Sequence, residues 1–167
     1  MRSRRFALWR RCRRIVGELV LPDPFDIGVF VETLAAQRGR PIELVELPSR
    51  PATPCGVLAA TDRADYIFYA ADTSALHQEH ILVHELGHLL CGHVGDEVVD
   101  DAISAALTPN LSPELVRRVL GRTSYSEEKE QEAELFASLV LHRARRARHR
   151  FPGLGGLESI FEGRREG

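Results

Sequence analysis

Near the start of the chain, apolar residues recur at helical spacing, at Phe6, Leu8, Trp9, Cys12, Ile15, Val16 and Leu19, with arginines between them. This period predicts an amphipathic helix over residues 4–20, inside a basic N-terminal segment 1–22. The stretch LPDPFD ends it. Asp26 is then placed to cap a second helix carrying Ile27, Phe30, Val31 and Leu34, with Gly39 as its stop. After RGRP the texture changes: IELVEL alternates like a strand, SRPATPCG reads as a proline-rich loop, and VLAAT and YIFYA flank the polar DRAD as the arms of a hairpin would. A small, mainly antiparallel sheet of three strands follows from these segments.

From Ser74 the helical period returns and runs to about Cys91, where Gly92 occupies the usual glycine position after a helix end. An acid-rich loop, GDEVVDDAISAALTPN, leads to a short expected helix in SPELVRRVLG, capped by Ser112 and stopped by Gly121. The segment SYSEEKEQEAELFASLVLHRARRARHR predicts a long C-terminal helix opened by a capping box from Ser124 to Glu127. The glycine-rich residues 151–167 read as a flexible tail, and no internal repeat is present. These elements make residues 1–150 one α+β domain: N-terminal helices, a small sheet, a histidine-rich helix and a long final helix.

At 167 residues the chain is long enough for a single core, and a formal net charge of −2 excludes a uniformly basic nucleic-acid binder. Positive charge is nevertheless clustered, with seven arginines in residues 2–14 and five in residues 143–150, while Lys129 is the only lysine. Solvated helix faces are the simpler reading of these arginines, and a phosphate-binding surface for nucleic acid is the alternative. Cys12, Cys55 and Cys91 are odd in number and far apart, which argues for a reducing compartment. The arginines near the N-terminus resemble the start of an export signal, but Arg10 and Arg11 interrupt the apolar run such a signal needs. No window has the length of a membrane span. The expectation is a cytoplasmic protein without a membrane partner.

The stretch HILVHELGHLLCGH, residues 80–93, holds four of the seven histidines. His84, Glu85 and His88 form HExxH. On a helix, side chains four apart lie one turn above each other, so both imidazoles can reach one ion while Glu85 points aside toward a bound water. That is the chemistry of a zinc hydrolase: the ion lowers the pKa of a water, the glutamate takes its proton, and the same glutamate can return the proton to the leaving amine.

A catalytic site of this kind wants three protein ligands, and Glu130 in EKEQEAELFA is the best third, with Glu134 one turn further along the same face to hydrogen-bond a ligating imidazole. A solvated acidic first turn is the competing account of that segment. His93 follows the motif, but at the wrong offset for the HExxHxxGxxH pattern of metzincins. Cys91 lies on the histidine stripe and could ligate, although a buried packing cysteine is the simpler role. His77 and His80 extend the stripe and are candidates to line a cleft. Tyr66, Tyr69, Tyr125 and His142 are candidate hydrogen-bond donors to a developing oxyanion, and the strand DYIFYA, residues 65–70, is a candidate for binding substrate backbone.

The pairing of HELGHLLCGH with EQEAELFA resembles the ImmA/IrrE family of bacterial and phage metallopeptidases, whose pattern is HExxH followed by ExxA(N/D)xFA. The resemblance runs from about residue 42 to about residue 141. It implies a minimal thermolysin-like, zincin-like fold, with His84, His88 and Glu130 as metal ligands and Glu85 as catalytic base. It also implies one Zn²⁺ per chain, for which another first-row divalent ion could substitute. Members act as anti-repressors by cutting helix-turn-helix repressors of the XRE type, so a protein substrate of that kind is expected here. Glu134 stands where the family has Asn or Asp, and LHRARR replaces the Met-Pro that closes the family's second motif. The alternative function is a metal-binding regulator or toxin–antitoxin component that docks on a repressor or nucleic acid without cleaving.

Overall fold

Asp26, Gly39, Ser74 and Gly92 punctuate the chain where their chemistry predicts. The computed structural model describes residues 2–47, 55–60, 64–93 and 125–150. Among them are α1 (Arg2–Glu18), α2 (Ile27–Arg38), β1 (Ile42–Leu47), β2 (Gly56–Ala60), β3 (Asp65–Ala70), α3 (Ala75–Leu90) and α4 (Glu127–Arg150). Asp26 caps α2 by accepting from the Val29 N–H at 2.9 Å, and Ser74 caps α3 by accepting from His77. The expected helix at 112–121, the acidic loop before it, Ser124 and the tail 151–167 lie outside the described residues. At the start of α4 the capping residue is Ser126, whose hydroxyl accepts from the Lys129 N–H at 3.4 Å and whose carbonyl accepts from Glu130.

The sheet is mixed, in the order β1-β3-β2. β2 and β3 pair antiparallel from Gly56↔Tyr69 to Ala60↔Asp65, as the hairpin pattern predicts, whereas β1 joins the far side of β3 in parallel, from Ile42↔Asp65 to Leu47↔Ala70. β3 takes the centre because it is apolar toward both faces: Ile67 enters the main core and Phe68 a smaller cluster with Val57 and Ala59. β1 carries exposed Glu43 and Glu46, which an edge strand tolerates. At the end of this pair Asp65, 2% exposed, accepts from Arg38 Nη2 at 2.8 Å and Arg40 Nε at 3.0 Å, pinning the end of α2 to the sheet.

The main core lies between one face of the sheet and the helices, where Phe30, Leu34, Ile67, Val83, Leu86, Phe136 and Val140 are almost wholly removed from water. Each such side chain contributes about 1.5–3 kcal/mol through burial. α3 and α4 run against each other through Gly87. A Cβ there would sit 3.1 Å from the Ala133 carbonyl oxygen and 3.2 Å from its Cα, so the pair of small residues lets the two backbones close up. This contact brings the polar stripe of α3 to the first turn of α4.

α1 packs along α4 through Cys12 and Val16. One guanidinium from α4 ties down the end of α1 and the residue just past it: Arg143 Nη1 donates to Val16 O at 2.6 Å and to Leu19 O at 3.0 Å. No helix among the described residues is long and apolar enough to cross a membrane.

Candidate metal centre

His84 and His88 stand one turn apart on α3 and turn their Nε2 atoms toward each other at 3.1 Å. Glu130, from the first turn of α4, brings Oε2 to 3.3 Å from His84 Nε2 and 3.6 Å from His88 Nε2. Three lone-pair donors thus converge on one point. A tetrahedral ion with bonds of about 2.0–2.1 Å holds its ligand atoms roughly 3.3 Å apart, so the triangle has the size such an ion requires. His84, His88 and Glu130 form a group that could hold a metal ion. His88 is 1% exposed, and burial pulls its pKa down to about 3, with the neighbouring His84, His93 and Lys129 adding to the effect. It therefore stays neutral, as a ligand must.

Glu85 is rotated off this stripe and packs against β2. Its carboxyl is 5% exposed, and burial first, then the charge of Glu130, pushes its pKa up to about 8. A backbone hydrogen bond from Leu58 acts in the opposite sense, and among the described residues Oε2 has no hydrogen-bond partner. Space for this carboxyl exists because residue 56 is glycine: a Cβ there would lie 2.6 Å from Glu85 Oε1 and 2.6 Å from Ile81 Cγ2.

A cleft opens over the group, lined by His77, His80, Tyr125 and Glu134 and by Cys55–Val57 at the start of β2. Glu134 Oε2 lies 3.2 Å from His80 Nε2 and 3.6 Å from His84 Nδ1, so the longer arm relative to Asn or Asp reaches two imidazoles. Tyr125 stacks on His88 with ring centroids 3.8 Å apart. Burial, followed by the charges of Glu85 and Glu130, pushes its hydroxyl up to about 12 and keeps it a donor at neutral pH.

Several expected participants fall elsewhere. Tyr69 donates to Glu46 Oε1 at 3.0 Å, Tyr66 packs on the smaller apolar cluster across the sheet, and neither lines the cleft. His142 is exposed on α4, away from the cleft. β3 is paired on both sides and has no free edge for a substrate strand; among the described residues the strand beside the cleft with an open edge is β2. Cys91 does not reach the histidine group. It is buried against Cys12 in a second cluster with Glu132, and the hydrogen bond to Cys12 pushes its thiol up well beyond the ordinary range. A cation there would compete with Arg11, already ion-paired to Glu132 at 3.0 Å.

Gly56 and Glu132 carry no signal as site residues in the sequence, and His93 is legible there only as a ligand at the wrong offset, not as a partner of His88. His93 Nδ1 sits 3.1 Å from His88 Nδ1, and His93 Nε2 sits 2.9 Å from Glu132 Oε2. Compared with protein-family models, with curated proteins and with solved structures, the chain matches none of them.

Proposed function

We propose that this chain is a zinc-dependent endopeptidase of the ImmA/IrrE type, and that its substrate is a helix-turn-helix repressor of the XRE type, whose cleavage relieves repression. The observation that carries the reading is the convergence of His84 Nε2, His88 Nε2 and Glu130 Oε2 at 3.1–3.6 Å with the buried carboxyl of Glu85 beside them. Two imidazoles and a carboxylate also suit other first-row divalent ions. Three cysteines without a disulfide fit activity in a reducing compartment, the cytoplasm.

Zinc bound by these three residues supplies Lewis acidity, which acidifies a water and polarises a carbonyl. The chain's own residues do the rest. With a cation held beside it, Glu85 favours its ionised form, and the carboxylate then takes a proton and hands it to the departing amine, with burial against β2 holding it at one orientation for both transfers. Tyr125, stacked on His88 and protonated at neutral pH, donates to the oxyanion. The open edge of β2 accepts the substrate backbone as an added strand, and His77 and His80 border it.

Metal content of purified wild type beside Glu130→Ala, with cleavage of a candidate repressor by wild type and Glu85→Gln, tests this. About one zinc per chain, largely lost in Glu130→Ala, and cleavage abolished in a metal-loaded Glu85→Gln are expected. Wild type that binds zinc but cuts no repressor while still docking on one would move the function to a non-cleaving regulator. Absence of metal from protein supplied with zinc would remove the hydrolase reading.

A further inference from the structure

The end of α3 has a specific hydrogen-bond pattern. Gly92 N–H donates to Leu89 O at 3.3 Å, His93 N–H donates to His88 O at 2.9 Å, and Gly92 takes φ +73°, a left-handed conformation that favours glycine. This is a Schellman cap, in which the residue two past the helix end folds back toward the residue that began the last turn. In this motif that pair is frequently apolar and closes a small hydrophobic contact. Here it is His93 against His88, with ring centroids 5.1 Å apart and the two Nδ1 atoms at 3.1 Å.

The chain of contacts continues. His93 Nε2 lies 2.9 Å from Glu132 Oε2, Glu132 is ion-paired with Arg11 Nη1 at 3.0 Å, and Arg11 Nη2 donates to the Cys91 carbonyl at 2.6 Å, back at the helix end. His88, His93 and Glu132 are each at most 5% exposed, so water does not supply alternative partners.

One distribution of protons along this chain is compatible with metal at His84, His88 and Glu130. A ligating nitrogen must keep its lone pair, so His88 Nε2 carries no proton and the neutral ring carries it on Nδ1. Two ring nitrogens at 3.1 Å need one proton between them; His88 Nδ1–H therefore donates and His93 Nδ1 accepts. The proton of His93 is then on Nε2 and is donated to Glu132, an acceptor that faces the Arg11 guanidinium. The opposite arrangement, with His93 protonated at both nitrogens, would leave the proton of His88 on Nε2, pointing at His84 and Glu130.

We infer that His93 and Glu132 are positioning residues for the metal: the Schellman cap places His93 so that it holds His88 in the tautomer whose Nε2 faces the ion, and Arg11 ties that support to α1. The inference rests on the metal-binding reading above. It gives the basic N-terminal helix a part in the site that its distance in sequence conceals.

The test combines zinc affinity, by competition with a chromophoric chelator, with imidazole ¹⁵N shifts of His88 in the metal-free full chain. The expected results are an Nδ1–H tautomer for His88 in wild type and a 10- to 100-fold loss of zinc affinity in His93→Leu, the usual effect of removing a ligand's partner. His93→Gln, whose amide accepts on one side and donates on the other, should recover most of that loss. Affinity within twofold of wild type in His93→Leu, or an Nε2–H tautomer in wild type, overturns the inference. If His93→Leu does not fold, Glu132→Gln keeps the ring and weakens its anchor; unchanged affinity there overturns it equally. Wild type that takes up no zinc yet shows the Nδ1–H tautomer would sink the metal reading and leave the histidine relay standing.

Discussion

Gly56 and Glu85 meet backbone to carboxyl: a single added Cβ at residue 56 would come within 2.6 Å of Glu85 Oε1, although the two residues lie on different elements. The carboxyl is thereby held against β2, beside the candidate metal group, at one fixed position.

Gly56→Ala is expected to push the Glu85 carboxyl and Ile81 away from β2. Overpacking of this kind costs about 1–3 kcal/mol. Peptide hydrolysis should fall at least tenfold while metal content stays near wild type. Thermal melts, metal analysis and a cleavage assay on the same preparation would check this, and unchanged cleavage would show that Glu85 tolerates displacement.

On the metal-binding reading, Glu134 supports the ligands without being one, since it faces His80 and the outer nitrogen of His84. Glu134→Ala should weaken zinc binding roughly 10-fold, less than Glu130→Ala, with the stoichiometry at saturating metal still one per chain. Loss of stoichiometry equal to that of Glu130→Ala would place Glu134 on the ion itself.

In metal-free protein the two buried site groups impose opposite pH dependences. Glu85 is raised from 4.5 to about 8, so the folded chain keeps a proton that the unfolded chain releases, and stability falls as pH rises through that window. His88 is lowered from 6.5 to about 3, so the unfolded chain takes a proton that the folded chain refuses, and stability falls as pH drops below 6.5. Between pH 6.5 and 8 only Glu85 contributes, with a slope of at most about 1.4 kcal/mol per pH unit. Urea unfolding in chelator should show this decline in wild type and a flatter profile in Glu85→Gln.

Asp65→Ala would leave Arg38 and Arg40 without the buried carboxylate that joins them. Both guanidinium groups are about 30% exposed and regain some hydration, so the expected loss is about 3 kcal/mol, the low end for breaking a buried pair. Denaturant unfolding measures it. A change below about 1 kcal/mol would show that water replaces the pair.

On α1, Phe6 stacks on Trp9, Arg10 covers Phe6 and Arg13 covers Trp9, and both aromatic rings are exposed. If the face is only solvated, single-stranded nucleic acid should bind weakly or not at all at 150 mM salt. Measurable affinity that drops steeply with salt and is lost on joint substitution of Arg10, Arg13 and Arg14 by Gln would instead establish a phosphate-binding surface.

How much was legible in the sequence depended on the range of the interaction that carried the signal. The helices of residues 27–38 and 75–90, the hairpin strands and the pairing of His84 with His88 rest on interactions within one or two turns, which residue spacing reports directly. Glu130 was legible as a candidate because HExxH leaves a third ligand to be found and the second motif supplies a carboxylate at a helix start. Long-range placement was not legible. Alternation along β1 and β3 sets which side chains share a face but says nothing about which strand is central, so the parallel pairing and the outer position of β2 among the described strands emerged only when apolar residues on both faces of β3 had to be covered. Tyr66 and Tyr69 carry the right functional group, yet alternation along β3 sends Tyr66 to the far face of the sheet, while Tyr69, on the helix side, donates to Glu46, and neither lines the cleft.

By itself, then, the amino-acid sequence determined the helix and strand periods, the caps and the presence of one histidine-bearing helical face, because neighbours along the chain settle those. Only the tertiary structure decided that Glu130 reaches the histidines, that Gly56 makes room for Glu85, and that Arg11, Glu132 and His93 form one buried line behind His88. Those relations depend on how closely α3, α4, α1 and β2 approach, and that distance is set by the packing of small residues such as Gly87 against Ala133, a property of the assembled core that no local spacing encodes.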